Sequence, residues 1–260
     1  MTQQAPELFM IQMWMKSRRL AELGKMLHLP LRQTSNSYLV HCALYELFQK
    51  QAPTPFCLED HHQYMSDYTN SDRYLPVLCY SAIDKEDLNE LAKGFASPSV
   101  YHILNWDRLL SKPMPVEYPN GMKLGFELRV CPVVRKASDG KKWEKGQEVD
   151  AFLSRVWEVD DENVSIEREE VYNDWLQHML EKQSGAKLLS SQIKRFSLER
   201  MSRRTHGENR KVRIIKRPDV VLTGTLEVQN SEAFKELLKI GIGRHKSFGF
   251  GMLKIRRMKN

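Results

Sequence analysis

The chain has 260 residues, of which 41% are hydrophobic, and it carries a formal net charge of +7 at pH 7. This length and this apolar fraction allow two domains with a core each, and they exclude a disordered chain. The sequence lacks a run of about 18 consecutive apolar residues and an N-terminal leader pattern, so we expect a cytoplasmic protein without a membrane-spanning helix.

The first half of the chain alternates between strand-like and helix-like patterns. Residues 8–15 are apolar and rich in methionine, which predicts a buried strand. Residues 35–37 offer helix N-cap side chains ahead of residues 38–50, where apolar residues recur at spacings of three and four. Three more elements are predicted: a strand over 74–82, placed at a sheet edge because of Pro76, a helix over 84–93 and a strand over 100–106.

The second half repeats this order after a connection over residues 111–121, which contains three prolines and an Asn-Gly turn. The chain is therefore predicted to have an α+β fold of two tandem ferredoxin-like (RRM-like, βαββαβ) domains, over residues 1–112 and 113–260. The elements predicted in the second half are a strand over 123–134, a helix over 168–182, a hairpin around 205–209 with its second arm over 211–216, a strand over 220–228, a helix over 232–239 capped by Ser231, a glycine loop over 241–251 and a strand over 252–256.

Basic residues are concentrated near the end of the chain. Residues 194–217 contain ten lysines or arginines against two acidic residues, and residues 239–260 contain seven against none. Such a density favours binding of a polyanion through release of counterions, and nucleic acid is the first candidate. A solvated basic face is the alternative, since most charged runs serve only that purpose.

The four cysteines, Cys42, Cys57, Cys79 and Cys131, are widely spaced. They form no CxxC pair, and histidines do not accompany them at the spacing of zinc ligands. We therefore expect buried free thiols, and the sequence predicts neither a metal site nor a cofactor.

The glycine loop carries a resemblance to a known family. Its sequence GIGRHKSFGFGML, over residues 241–253, resembles the loop that ends the CRISPR repeat-processing endoribonucleases. Residues 126–135, 146–153 and 171–176 further resemble the CasE branch, which serves the type I-E Cascade complex. The resemblance spans nearly the whole chain and implies a paired ferredoxin-like fold.

Tyr38 and His41 match the pair of catalytic residues that this family carries on a helix. The spacing places both rings on one helical face. RNA cleavage by its own 2′-hydroxyl requires one proton to be removed and another to be delivered, and histidine can do either near neutrality. The resemblance implies His41 as general acid or base, Tyr38 as its partner, no metal, and products with 2′,3′-cyclic phosphate and 5′-hydroxyl ends.

Further site residues are proposed around this pair. Lys16, Arg18, Arg19 and Arg32 are candidates for a cation that stabilises the charge on the phosphate. Phe248 and Phe250 are expected in the core. The glycines that allow the tight path of the loop are Gly241, Gly243, Gly249 and Gly251. The candidate RNA-binding residues are Arg195, Arg200, Arg203, Arg204, Arg210, Lys211 and Arg213 in the basic hairpin, with Arg244 and Lys246 in the glycine loop.

The expected partners are the stem-loop of the CRISPR repeat RNA and other Cas proteins of an effector complex, with no membrane. Two alternatives remain open at this point. A catalytically silent RNA-binding subunit would also explain the basic segments, and a processing nuclease of another CRISPR type, such as type IV, would share the resemblance.

Overall fold

The computed structural model describes residues 8–59, 73–159, 164–204 and 212–258, and the side chains of residues 202–204 and 212–214 are outside this description. Within these ranges the chain forms two four-stranded antiparallel sheets and a small two-stranded sheet, with helices packed beside them.

The first half forms one sheet in the strand order β2-β3-β1-β4. This order places the first strand between the third and the fourth, which is the ferredoxin-like arrangement. Its elements in chain order are β1 (Phe9–Lys16), α1 (Ser17–Met26), α2 (Asn36–Phe48), β2 (Phe56–Leu58), β3 (Tyr74–Ser81), α3 (Lys85–Phe95), α4 (Pro98–Tyr101) and β4 (Leu110–Pro113).

The second half forms a sheet in the order β10-β5-β9-β8, which repeats the arrangement of the first. The predicted α+β fold of two ferredoxin-like units is thus confirmed. Its elements in chain order are β5 (Lys123–Val130), β6 (Val133–Arg135), β7 (Glu148–Asp150), α5 (Ala151–Val159), α6 (Arg168–Gln183), β8 (Ala186–Arg204), β9 (Val212–Val228), α7 (Ser231–Ile240) and β10 (Leu253–Arg257).

Helix α2 forms where its periodicity predicts it. Ser35 is the N-cap, and its hydroxyl accepts a hydrogen bond from the Tyr38 amide. The face of the helix that packs against the first sheet includes Val40, Ala43, Leu44, Leu47 and Phe48. This packing leaves Tyr38 and His41 half-buried at the side of the helix.

Two predictions for the first half are wrong. The strand expected over 100–106 is replaced by α4, because Pro98 is favourable at the first position of a helix, and β4 closes the sheet instead. Strand β3 is internal rather than an edge strand. Pro76 is accommodated because it lies where the pairing with β2 ends: the Glu59 amide still donates to the Pro76 carbonyl oxygen, and only the return bond from an N–H is missing.

Other boundaries in the second half also differ. The strand expected over 123–134 is split at Pro132 into β5 and β6, since proline cannot donate to the ladder. The cap of α7 is Asn230 rather than Ser231, because the Asn230 side chain accepts from the Ala233 amide at 2.9 Å. Strand β9 runs unbroken from Val212 to Val228, where two separate strands were expected over 211–216 and 220–228. The hairpin turn expected around 205–209 and position 211 lie outside the described residues. The helices α1 and α5 were not predicted by the pattern.

The two halves share an apolar contact. Leu8, Cys57 and Tyr80 of the first half are buried in the core of the second. The Tyr80 hydroxyl donates to the Leu253 carbonyl oxygen at 2.8 Å, which ties β3 to β10. The division into residues 1–112 and 113–260 remains a proposal, and β4, which pairs with β1, ends at Pro113.

Among the described residues, none of the helices combines the length and the apolar character needed to cross a bilayer. Cys57, Cys79 and Cys131 are buried free thiols, as expected, and Cys42 is half-buried. Burial raises the pKa of Cys57 and of Cys131 to about 12, so these thiols stay protonated at neutral pH.

Candidate active site

Helix α2 presents Tyr38 and His41 on one face, one helical turn apart. Their ring centroids are 5.9 Å apart, and the planes are inclined by 39°. Burial lowers the pKa of His41 below its ordinary value of 6.5, because a charged imidazole loses its hydration there. The imidazole is therefore mostly neutral at pH 7 and able to accept a proton.

Tyr38 packs against the glycine loop of the second half. Its ring stacks on Phe248, with 5.2 Å between centroids and 22° between planes. Phe248 and Phe250 are buried, as the sequence predicts, in an apolar cluster that includes Met201 of β8 and Val133 of β6. The cluster therefore joins the helix of the candidate catalytic pair to the glycine loop and to the basic hairpin.

The glycine loop is folded tightly on itself. Gly241, Gly243, Gly249 and Gly251 all have positive φ values, between 75° and 89°. A Cβ atom on Gly251 would lie 2.5 Å from the Ile242 carbonyl oxygen, so only glycine fits this close approach. The role proposed for these four glycines is consistent with the backbone.

Arg129 of β5 joins the parts of the site. Its Nε and a terminal nitrogen donate to the two carboxylate oxygens of Asp219 on β9, at 2.9 and 3.0 Å. The other terminal nitrogen donates to the Ser37 hydroxyl at 3.2 Å and to the Phe248 carbonyl oxygen at 3.4 Å. The guanidinium also lies 4.4 Å from the ring centroid of Phe250. The sequence signal is a single arginine in the otherwise apolar end of a strand.

A pocket of about 410 Å³ opens beside Phe248 and is lined by Glu148, Met201, Ile215 and residues 243–248. Arg244 Nε lies 2.6 Å and His245 Nε2 2.9 Å from the Glu148 carboxylate. Burial raises the pKa of Glu148, but His245 and Arg244 outweigh burial and lower it below its usual range. Arg244 is thus engaged within the protein.

Lys246 and His245 are the other titratable groups of the glycine loop. Burial lowers the pKa of Lys246. Burial also lowers the pKa of His245, an effect that the neighbouring Glu148 opposes. Lys246 is half-buried in the wall of the pocket, where an RNA phosphate would compensate its lost hydration.

The basic hairpin places its candidate residues differently. Arg200 is exposed on β8 and is paired across the ladder with Lys216. Arg195 is also exposed, and its guanidinium lies 3.3 Å from the Asp219 carboxylate, so the protein holds it in place. The side chains of the five remaining candidates are outside the described part of the chain: Arg203, Arg204, Arg210, Lys211 and Arg213.

The four candidate cations occupy different places. Arg18 and Arg19 both contact Glu22 on α1, at 3.3 and 2.9 Å. Lys16 is the half-buried last residue of β1. Arg32 is exposed in a short 3-10 turn that precedes α2 and lies against β8. Of the four candidates, Arg32 is the one whose turn contacts β8 of the basic hairpin.

The described residues include no group of three or more histidine, cysteine, aspartate or glutamate side chains arranged to hold a metal ion. Independently of this finding, Tyr38 and His41 are side chains capable of proton transfer, and basic residues of the glycine loop, the turn at Arg32 and β8 are the candidate cations around them.

Comparisons with known proteins place this geometry in context. The family model described as "CRISPR associated protein" matches residues 8–257. None of the curated proteins matches the chain. Solved structures that resemble it include a CRISPR endoribonuclease Cse3 bound to a 19 nt RNA, at 18% identity and a TM-score of 0.60, covering 96% of this chain and 99% of that one.

Two further structures share the fold. The Cas6e protein of Escherichia coli K-12 is 19% identical, with a TM-score of 0.56 and coverage of 96% of this chain and 100% of that chain. A chain of a CRISPR RNA-guided surveillance complex in its pre-nicking state is 17% identical, with a TM-score of 0.55 and the same coverages. At this identity the likeness establishes the fold.

Proposed function

Since the chain belongs to the CRISPR associated protein family, we propose that it is a metal-independent endoribonuclease that cuts CRISPR precursor RNA at the repeat stem-loop. The observation that carries this proposal is the position of His41. Its imidazole lies one turn beyond Tyr38 on α2, and Tyr38 is stacked on the glycine loop beside the basic hairpin. A proton-transfer pair thus stands next to a surface suited to RNA.

The reaction needs no group beyond side chains and the RNA itself. The 2′-hydroxyl loses its proton and attacks the adjacent phosphorus, and the bond to the 5′-oxygen of the next nucleotide breaks. His41 in its neutral form accepts the first proton, or in its protonated form delivers one to the leaving 5′-oxygen, and Tyr38 assists. The products carry a 2′,3′-cyclic phosphate and a 5′-hydroxyl.

Cations around the pair support the phosphate. Negative charge develops on its oxygens as the 2′-oxygen attacks, and a nearby guanidinium or ammonium group lowers the barrier. Arg32 and Lys246 are the groups that we assign to this role, because Arg32 lies in the turn just before α2 and Lys246 lies in a turn of the glycine loop that contacts α2. The hairpin residues, with Arg195 and Arg200 at its base, hold the stem through its phosphates.

Retention of the product is part of the proposal. The solved Cse3 structure contains RNA, and the surveillance complex contains a chain of the same fold. We assign this protein the same association with repeat RNA and with other Cas proteins of an effector complex. One subunit, in the cytoplasm, would then both generate the mature guide RNA and keep it bound.

The test uses a labelled repeat transcript incubated with the pure protein in EDTA, followed by mapping of the product ends. We expect the wild type to cut once and leave a cyclic phosphate. His41→Ala should bind the transcript with unchanged affinity and leave it whole. His178→Ala is the matched control, because His178 is an exposed histidine on α6 and should not affect cleavage.

Other outcomes would identify the alternatives. A 3′-hydroxyl product or a strict need for magnesium would contradict the mechanism. Tight binding without cleavage by the wild type would indicate a silent RNA-binding subunit. Cleavage of only a repeat from another CRISPR type, such as type IV, would assign the enzyme to that type.

A further inference from the structure

Arg129 contacts three parts of the candidate site at once. Its guanidinium bonds to Asp219 on the hairpin strand β9, to the Ser37 hydroxyl at the start of α2 and to the Phe248 carbonyl oxygen in the glycine loop. We infer that Arg129 is a positioning residue that holds α2 in a fixed position relative to the glycine loop and the hairpin. This inference rests on the proposed function, since it concerns the same proton-transfer pair.

An arginine suits this place for geometric reasons. Its planar fork donates two parallel bonds to the Asp219 carboxylate and still has a terminal nitrogen that reaches both Ser37 and Phe248. The Asp219 side chain is only 3% exposed and that of Arg129 14%. The Asp219 carboxylate neutralises the buried charge of Arg129. The other terminal nitrogen of Arg129 is therefore available to donate to the neutral oxygens of Ser37 and Phe248.

The link to the chemistry runs through Ser37. Ser37 is buried and directly precedes Tyr38 in the first turn of α2. A displaced first turn would move the Tyr38 and His41 rings relative to an RNA strand held by the other domain. Reactions of this kind depend on reacting atoms held at about 3 to 3.5 Å, so small displacements are costly.

The hairpin shares this network. Asp219 also holds Arg195, a candidate RNA contact, with its guanidinium 3.3 Å away. The same carboxylate therefore connects a residue that faces RNA with the arginine that fixes α2. Engagement of the hairpin by RNA and placement of the proton-transfer pair are coupled through Asp219.

Ser37→Ala is the first test, because it cuts only the bond to α2 and leaves the Arg129 pair with Asp219 in place. We expect the single-turnover cleavage rate to fall about tenfold, with the Kd for uncleavable repeat RNA and the Tm unchanged. Ser154→Ala is the matched control. Ser154 is likewise a buried serine that accepts from a cation, Lys136, and its hydroxyl donates to Glu158 of α5 rather than bonding to α2.

Arg129→Lys is the second variant. A lysine cannot make the two parallel bonds and also reach Ser37, so Ser37→Ala should have no further effect on the rate in this background. Arg168→Lys is its control, since Arg168 also contacts a largely buried carboxylate, that of Asp150, through one terminal nitrogen at 3.2 Å. A variant that loses Tm but keeps its cleavage rate would indicate that Arg129 has a purely structural role. A comparison of the cleavage rates of Arg129→Lys with and without Ser37→Ala distinguishes that role from positioning of α2.

Two cleavage-rate results would overturn the inference while the proposed function stands: a wild-type cleavage rate in Ser37→Ala, or full additivity of the two substitutions. A change in Kd equal to the change in rate would also overturn it, because positioning of the pair acts after binding. Failure of the wild type itself to cut the repeat would instead refute the proposed function.

Discussion

Tyr38 of α2 lies flat against Phe248 of the glycine loop, 5.2 Å between ring centroids. Tyr38 lies on α2 in the first half of the chain, and Phe248 lies in the loop before β10 in the second half. The stack therefore bridges the two halves. Rotation of the Tyr38 ring is restricted by this contact, which fixes the direction of its hydroxyl.

Removal of the Tyr38 hydroxyl separates its chemical role from its packing. Tyr38→Phe keeps the stack on Phe248, so we expect a change in the free energy of unfolding below about 1 kcal/mol. Cleavage should slow by roughly 10- to 100-fold, the scale of lost assistance to proton transfer. Single-turnover kinetics measure the rate and urea denaturation the stability. Tyr45→Phe, at a 57% exposed tyrosine of the same helix, should leave both unchanged.

The lowered pKa of His41 makes stability depend on pH. In the unfolded chain an imidazole takes up a proton near pH 6.5, whereas folded His41 does so only at a lower pH. The unfolded state therefore binds more protons between these values, and the free energy of unfolding falls as the pH is lowered through 6.5. His41→Gln should reduce this fall.

Urea denaturation of both proteins at pH 7.5 and pH 5.5 provides the measurement. Residual pH dependence is expected in the variant, because burial lowers the pKa of His245 in the same direction. An equal loss of stability in wild type and His41→Gln would show that His41 titrates at its ordinary pKa.

RNA affinity should depend on salt through the hairpin. Arg200 is exposed on β8, and a phosphate contact there would release about one counterion. Arg200→Ala should therefore weaken binding of the repeat and reduce the slope of log K against log salt by about 0.7 to 1. Lys93→Ala, on the exposed face of α3, should leave the slope unaltered. Equal slopes for wild type and Arg200→Ala would remove Arg200 from the RNA surface.

The glycine loop should not tolerate a side chain at its closest approach. Gly251 has a φ of 89°, and a Cβ there would meet the Ile242 carbonyl oxygen at 2.5 Å. Gly121 has a similar φ of 81° with open space around it. Gly121→Ala should cost about 1 kcal/mol of backbone strain, whereas Gly251→Ala should cost more and also slow cleavage, because the loop carries Phe248. Denaturation and cleavage assays on both variants test this difference.

Local patterns predicted the elements that carry the site. Helix α2 was predictable because its capping serine and its apolar spacing are both contained in a short stretch. The glycine loop was recognisable as a motif, and the resemblance drawn from it to CRISPR repeat-processing proteins is confirmed at the level of the family. The roles of Tyr38, His41 and the basic residues remain predictions.

Contacts between distant segments could not be predicted in the same way. The role inferred for Arg129 depends on its hydrogen bonds with Asp219, 90 positions away, and with Ser37, 92 positions away. The wrong prediction of a strand over 100–106 has a cause within the same stretch of sequence. The apolar run there suits a strand, but the preceding Ser-Pro pair starts a helix. The edge position predicted for β3 from Pro76 was wrong because the proline lies where the pairing with β2 ends. The sequence of β3 alone contains no information about the length of β2.

The stack of Tyr38 on Phe248 also determines when the site can exist during synthesis. The ribosome releases α2 early, but the loop that completes its surroundings emerges only after nearly all the described chain has been translated. A nascent chain that ends before the glycine loop carries Tyr38 and His41 without the partner that orients them. Under the proposed function, such an unfinished copy should cut RNA more slowly than the complete fold, because its proton-transfer pair lacks the Phe248 contact.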